Sequence, residues 1–208
     1  MRTRVKFCGL TRIADVDAAV RVGADAVGLV FHSGSARALQ PVQAVELVAA
    51  LPAFVTAVGL FVDAAPEQVR SVLDAVPLGA LQFHGQETPE YCRRFGRPWI
   101  KAVAVRPGID LDAIARRYAG ASSLLLDTYD PTMAGGTGRR FDWDLVPPRL
   151  AADCILAGGL QPENVAAAIR QLRPHAVDVS GGIEQAKGIK DGDKMTAFMK
   201  GVRDGDHS

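Results

Sequence analysis

Residues 5–31, VKFCGLTRIADVDAAVRVGADAVGLVF, read as one unit of an alternating fold. Val5-Lys6-Phe7-Cys8 is a short, mostly apolar run of strand type. Val16, Ala19 and Val20 follow at helical spacing, and Gly23 stands where a helix can end on a left-handed residue. Gly23-Ala24-Asp25-Ala26-Val27 then leads into a second apolar run over 26–31. Neither run alternates strictly between apolar and polar residues, as expected of parallel strands covered on both faces.

The same unit recurs along the chain. Strand-like runs are expected at 5–8, 26–31, 56–62, 80–84, 100–105, 123–127, 154–157 and 176–179. Helical stripes separate them: Val69, Val72, Leu73 and Val76; then Val165, Ala168, Ile169 and Leu172; and finally Met195, Phe198, Met199 and Val202. Pro66, Pro89 and Pro162 sit where first helical turns should begin, because proline's fixed φ and missing N–H suit that position. The strand ends lie about 25 residues apart, the length that a strand, a helix and two short loops need. Gly23-Ala24-Asp25-Ala26-Val27, Leu78-Gly79-Ala80-Leu81 and Pro174-His175-Ala176-Val177 repeat the helix-to-strand passage. Eight βα units without a linker predict an α/β fold, a single (β/α)8 barrel of 208 residues. The last residues, from Arg203 on, read as a solvated tail. The competing open sheet would carry a Gly-rich turn, and Phe7-Cys8-Gly9-Leu10-Thr11-Arg12 is no G-x-G-x-x-G.

The composition narrows the function classes. Lys and Arg number 24 against 23 Asp and Glu, so nothing electrostatic points to nucleic acid or an anionic membrane. The longest apolar stretches fall short of the ~20 residues of a spanning helix, and Met1-Arg2-Thr3-Arg4 runs straight into a strand without a signal-type apolar region. Cys8, Cys92 and Cys154 are scattered without metal-ligand spacing, which predicts a reduced, cytoplasmic protein with no metal.

In a barrel the chemistry sits at the carboxyl ends of the strands. That rule selects Cys8, His84, Asp127, Asp178 and Ser180. Gly158-Gly159 and Gly181-Gly182 follow strands seven and eight, where backbone N–H groups can hold a phosphate. Asp127 ends the run Leu124-Leu125-Leu126, where desolvation would favour a protonated carboxyl and suit a general acid. Cys8 by itself is more often buried filler, and a thiolate there needs a source of positive charge. Lys6, two residues earlier on the same strand, could share its face but cannot be assumed to supply that charge. Arg37 follows strand two and can grip a carboxylate with two hydrogen bonds. Thr128 to Gly138 forms a long glycine-rich connection suited to a lid. Cys92 and Cys154 read as structural.

These pieces in this order resemble the phosphoribosylanthranilate isomerase family. Lys6-Phe7-Cys8-Gly9-Leu10-Thr11, Ser35-Ala36-Arg37, Gln82-Phe83-His84-Gly85 and Leu126-Asp127 carry the match. So do Gly135-Gly136-Thr137-Gly138 with Phe141-Asp142-Trp143, Ala157-Gly158-Gly159-Leu160 with Pro162-Glu163-Asn164-Val165, Val177-Asp178-Val179-Ser180 and Gly188-Ile189-Lys190-Asp191. The resemblance implies an Amadori rearrangement in tryptophan biosynthesis, with Asp127 as general acid and Cys8 as general base. It implies Arg37 on the anthranilate carboxylate, Gly158, Gly159, Ser180 and Gly181 around the phosphate, and His84 and Asp178 orienting substrate. The thiol of Cys8 should then be pulled below its ordinary value and the carboxyl of Asp127 pushed above its own. No cofactor is implied, the partner is a small-molecule substrate, and a monomer is expected with a dimer left open. Two positions depart from the family: Ala36 replaces a proline, which should loosen the loop of Arg37, and Gly181 replaces a second serine. The alternatives are the histidine-pathway ribosyl-aminoimidazole isomerase, which resembles a two-fold repeat with an aspartate in the place of Cys8, and a non-catalytic phosphosugar-binding barrel.

Overall fold

The computed structural model describes residues 2–128 and 141–207. Eight parallel strands close into a barrel in sequence order: β1 (Arg4–Cys8), β2 (Ala26–Val30), β3 (Thr56–Phe61), β4 (Ala80–Phe83), β5 (Trp99–Val105), β6 (Ser123–Thr128), β7 (Ile155–Leu156) and β8 (Ala176–Val179). Every expected strand is present, and each ends within one residue of its expected end. The barrel closes by pairing β1 with β8, which sets Lys6 opposite Asp178. On its other edge β1 sets Cys8 opposite Gly28 of β2.

Alternation along the strands divides the apolar residues into two layers. Val5, Phe7, Leu29, Phe61, Leu81, Phe83, Leu126 and Val177 point outward beneath the helices and form the main core. Val58, Ile100, Ala102, Leu125, Ile155, Ala157 and Ala176 fill the lumen. Above that lumen floor the same inward parity brings up Lys6, Cys8, Gln82, Asp127 and Asp178, all buried. A filled floor under a polar upper layer leaves the carboxyl end of the barrel as the place for chemistry.

The helices are α1 (Ile13–Val22), α2 (Pro41–Ala49), α3 (Pro66–Ala75), α4 (Pro89–Cys92), α5 (Leu111–Arg117), α6 (Pro148–Ala151), α7 (Val165–Leu172) and α8 (Gly192–Asp206). Gly23 ends α1 at φ 92°, its N–H bonded to the carbonyls of Ala19 and Val20. Pro66 and Pro89 open α3 and α4 as expected. Pro162 does not open α7. It lies in a turn that Asn164 closes by accepting from the Gln161 N–H, and the helix starts three residues later than proline placed it.

The C-terminal tail is a second correction. Helix α8 continues to Asp206, whose carboxylate accepts from the Thr3 backbone N–H at 3.0 Å and from the Thr3 hydroxyl at 2.6 Å. Its stripe of Met195, Phe198, Met199 and Val202 is buried, with Phe198 edge-on to Phe7. A short hairpin, β9 (Glu184–Ala186) and β10 (Ile189–Lys190), sits between β8 and α8. The glycine-rich connection expected as a lid falls at 129–140, outside the described residues. Among the described residues no helix is long and apolar enough to cross a membrane.

Candidate active site

Two protonatable groups face the mouth of the barrel from different strands, each held by its own network. Cys8 ends β1. Its Sγ and the Nζ of Lys6 both lie against Gly28, where an added Cβ would come within 2.7 Å of the sulfur and 3.0 Å of the nitrogen. Only a residue without a side chain fits there, so Gly28 makes the space that lets thiol and ammonium sit side by side. Lys6 also donates to Asp178 Oδ1 at 2.8 Å, in a buried ion pair. Burial works against the ammonium, but Asp178 and Cys8 outweigh it and hold Lys6 above its ordinary value.

The thiol does not follow the sequence expectation. Burial pushes Cys8 up, and Asp178 adds to that, while Lys6 and Lys190 pull in the opposite sense without winning. A thiol in apolar surroundings keeps its proton unless more positive charge arrives. Val30 and Leu60 supply those surroundings from β2 and β3.

Asp127, near the end of β6, belongs to the second network. Its Oδ1 accepts from the Thr128 N–H at 2.7 Å, and its Oδ2 lies 3.3 Å from His84 Nε2. The other ring nitrogen of His84 lies 3.1 Å from Gln82 Nε2. Gln82 is fully buried, and its Oε1 finds no partner among the described residues. The loop carrying His84 is fixed from behind by a buried pair, Lys101 with Glu87 at 3.1 Å. Lys101 also donates to the carbonyls of Phe83 and Gly85, and Glu87 accepts from the N–H groups of Gly85 and Asp63.

Arg37 reaches the rim from the loop after β2. Its Nε and Nη2 each donate at 2.7 Å to the two oxygens of Glu184. Its Cδ packs against Gly9. An arginine has five N–H donors, so this pair leaves Nη1 and one hydrogen of Nη2 to take a carboxylate. Ala36 does not free the loop: the Arg37 N–H donates to Ser35 Oγ, the Ala38 N–H to the Ser35 carbonyl, and the side-chain pair pins the rest. Glu184 accepts from Lys190 Nζ as well, at 2.9 Å. Burial pushes Glu184 up, yet the hydrogen bonds and charges of Arg37 and Lys190 prevail and leave it below the usual carboxylate range. Lys190 Nζ also donates to the carbonyl of Ser180 at 3.0 Å, which puts a buried positive charge beside the expected phosphate position.

The glycine pairs end neighbouring strands. Gly158 and Gly159 follow β7 at φ 78° and 64°, in the left-handed region. Gly181 opens a single 3-10 turn after Ser180 and β8. Gly158 has a tighter constraint than anion binding: an added Cβ would stand 2.6 Å from the Thr128 nitrogen and 3.0 Å from Asp127 Oδ1. The barrel thus gathers all nine expected residues at one end. Asp178 is engaged by Lys6 and His84 lies against Asp127, so each belongs to the network around Cys8 or Asp127. Glu184 went unnoticed in the sequence, and Gln82 was noticed only within the Gln82-Phe83-His84-Gly85 motif, without a role. Lys190 was noticed only within the Gly188-Ile189-Lys190-Asp191 motif, without a role. Among the described residues no group of three or more His, Cys, Asp or Glu is placed to hold a metal ion.

Known proteins share both the sequence and this architecture. A family model described as N-(5'phosphoribosyl)anthranilate (PRA) isomerase matches residues 5–201. A Nitrosococcus oceani protein named N-(5'-phosphoribosyl)anthranilate isomerase is 57% identical over 202 residues, covering 97% of this chain and 98% of its own. The crystal structure of phosphoribosyl anthranilate isomerase from Thermotoga maritima superposes with a TM-score of 0.88 at 41% identity, over 97% of this chain and 98% of that one. A further crystal structure, of such an isomerase in complex with reduced 1-(o-carboxyphenylamino)-1-deoxyribulose 5-phosphate, gives 0.85 at 40% identity over the same shares.

Proposed function

The chain belongs to the N-(5'-phosphoribosyl)anthranilate isomerase family, and on that premise we propose how its residues divide the work. The reaction is the Amadori rearrangement of N-(5-phosphoribosyl)anthranilate to 1-(2-carboxyphenylamino)-1-deoxyribulose 5-phosphate in tryptophan biosynthesis. Asp127 gives a proton to the furanose ring oxygen. The C1–O bond breaks as the anilino nitrogen pushes its lone pair into a C=N bond, leaving an iminium cation. Cys8 removes the proton from C2, and the electrons of that bond form the enolamine and neutralise the nitrogen. Return of the proton from Cys8 to C1, with the C2 hydroxyl proton passing back to the carboxylate of Asp127, gives the ketone, so atoms and charge balance over the cycle.

The order of these steps accounts for a base that burial holds protonated. The iminium places a new positive charge beside the sulfur, adding to Lys6 and Lys190, and the thiolate becomes favourable when it is needed. His84, between Gln82 and Asp127, is placed to return a proton to the acid. Arg37 offers its remaining edge to the anthranilate carboxylate. Gly158, Gly159, Ser180 and Gly181 receive the phosphate, with Lys190 adding charge beneath them. The buried, unpaired cysteines support a cytoplasmic location.

The observation that carries this reading is the separation of the two networks, Lys6–Asp178 at Cys8 and Gln82–His84 at Asp127. It keeps the two groups on one mouth in separate hydrogen-bonding surroundings. Loss of the substrate's anthranilate fluorescence tests it. Wild type should consume phosphoribosylanthranilate rapidly, and Asp127→Asn should not exceed background. A folded Asp127→Asn with wild-type turnover would remove Asp127 as the acid.

A further inference from the structure

We propose that Lys6, clamped by Asp178, is the positioning residue that governs when the Cys8 thiol gives up its proton; this deepens the reading of Cys8 as the base and rests on it. The register of the closed barrel puts Asp178 directly beside Lys6, and Gly28 leaves the gap in which ammonium and sulfur meet. A lysine side chain is flexible, and a free one would turn toward water. The 2.8 Å bond to Asp178 prevents that and holds the charge inside the barrel at the sulfur.

The charges around the sulfur show why the clamp leaves the base ready rather than ionised. Lys6 on β1, Lys190 on β10 and Arg37 in the loop after β2 are cations, and Cys8 shares a field with each. Asp178 on β8 and Glu184 on β9 are the anions paired with them. The groups from β2 and β3, Val30 and Leu60, are apolar. Three positive charges face two negative ones, and a thiolate at Cys8 would balance the set. Burial opposes that thiolate. Removing Lys6 takes away the charge that lies with the sulfur against Gly28 and leaves the opposition of burial and Asp178 intact. Removing the charge of Asp178 does the reverse.

Ultraviolet thiolate absorbance across pH, taken as the difference from Cys8→Ser, reads this ionisation without any assumption about catalysis. In Lys6→Met the titration should move to higher pH by about one unit or more, a tenfold loss of thiolate at fixed pH. Lys6→Arg should restore most of it, and Asp178→Asn, which keeps an amide oxygen to hold the ammonium while removing the negative charge, should move it to lower pH. The pH profile of kcat/KM should shift with the titration. A folded Lys6→Met that titrates like wild type would overturn the proposal. Should the lone Asp178 prevent that variant from folding, Lys6→Met/Asp178→Asn removes both charges. A smaller upward shift is then expected, because Lys6 Nζ lies with the sulfur against Gly28, and no shift would overturn the proposal. A shifted titration with an unchanged rate profile supports the control by Lys6 while removing Cys8 as the base.

Discussion

Gly158→Ala separates two reasons for a glycine after β7. If Gly158 serves only the phosphate, alanine keeps the backbone N–H and the loss should appear in KM. The structure predicts a different outcome. At φ 78° an alanine costs roughly 1–2 kcal/mol in backbone conformation. Its Cβ would stand 2.6 Å from the Thr128 nitrogen and would also meet Thr128 Oγ1. The nitrogen is backbone inside the barrel wall, so no rotamer change relieves the contact, and overpacking of this kind costs about 1–3 kcal/mol. Together the two give roughly 2–5 kcal/mol, a fall in Tm of about 4–20 °C for a protein of this size. The segment displaced carries Asp127, whose Oδ1 depends on the Thr128 N–H. A shift of even ~1 Å at a reacting group can cost about 100-fold. Calorimetry with steady-state kinetics should therefore show a lowered Tm and a fall in kcat larger than any rise in KM. A variant with wild-type Tm and kcat and only a raised KM would refute the steric argument and return Gly158 to the phosphate alone.

Further expectations concern the supports of the site. Arg37→Ala should mainly raise KM for substrates bearing the anthranilate carboxylate, and an equal loss with a decarboxylated analogue would remove that assignment. Lys101→Met strands the buried Glu87 carboxylate and should cost about 3–5 kcal/mol in urea unfolding. Lys101→Met/Glu87→Leu should recover part of that loss, since the pair is then replaced rather than broken. Burial pushes the Cys154 thiol up to about 12. A thiol held protonated only in the folded state contributes stability that is complete below its unfolded value and is lost as pH rises toward the folded one. Between about pH 9 and 12 stability should therefore fall by about 1.4 kcal/mol per pH unit from this group, and unfolding of Cys154→Ala should lack that component.

The strands were legible because each is a short apolar run bounded by turn residues, and burial on both faces removes the polar alternation that would blur them. Cys8 and Asp127 were legible because barrel geometry fixes where chemistry must sit once the strand ends are known. What escaped was contact between residues distant in sequence. Lys6 and Asp178 become neighbours only when β1 meets β8, and the register of that closure has no local signature. Glu184 and Lys190 lie on a hairpin of two short strands, too short for periodicity to mark, so the partner of Arg37, Glu184, and the second cation on it, Lys190, stayed hidden. The bond from Thr3 to Asp206 likewise turned an apparent tail into the last turn of α8. Pro162 misled for a local reason: the Asn164 amide closes a turn that proline alone suggested was already helix. The thiol of Cys8 was expected to lie low because the role the family resemblance implies demands a thiolate, whereas burial in the folded protein dominates; in the proposed scheme the reaction's own cation completes the shift.

The most direct test of the division between acid and base is chemical trapping. Borohydride reduces an acyclic imine or iminium intermediate but leaves the closed furanose untouched. With Cys8→Ala, phosphoribosylanthranilate should be opened by Asp127 yet go no further, and reduction should yield the acyclic 1-(2-carboxyphenylamino)-1-deoxypentitol 5-phosphate above background. With Asp127→Asn no such product should exceed the enzyme-free control. Equal trapping by both variants, or trapping by Asp127→Asn alone, would contradict the account.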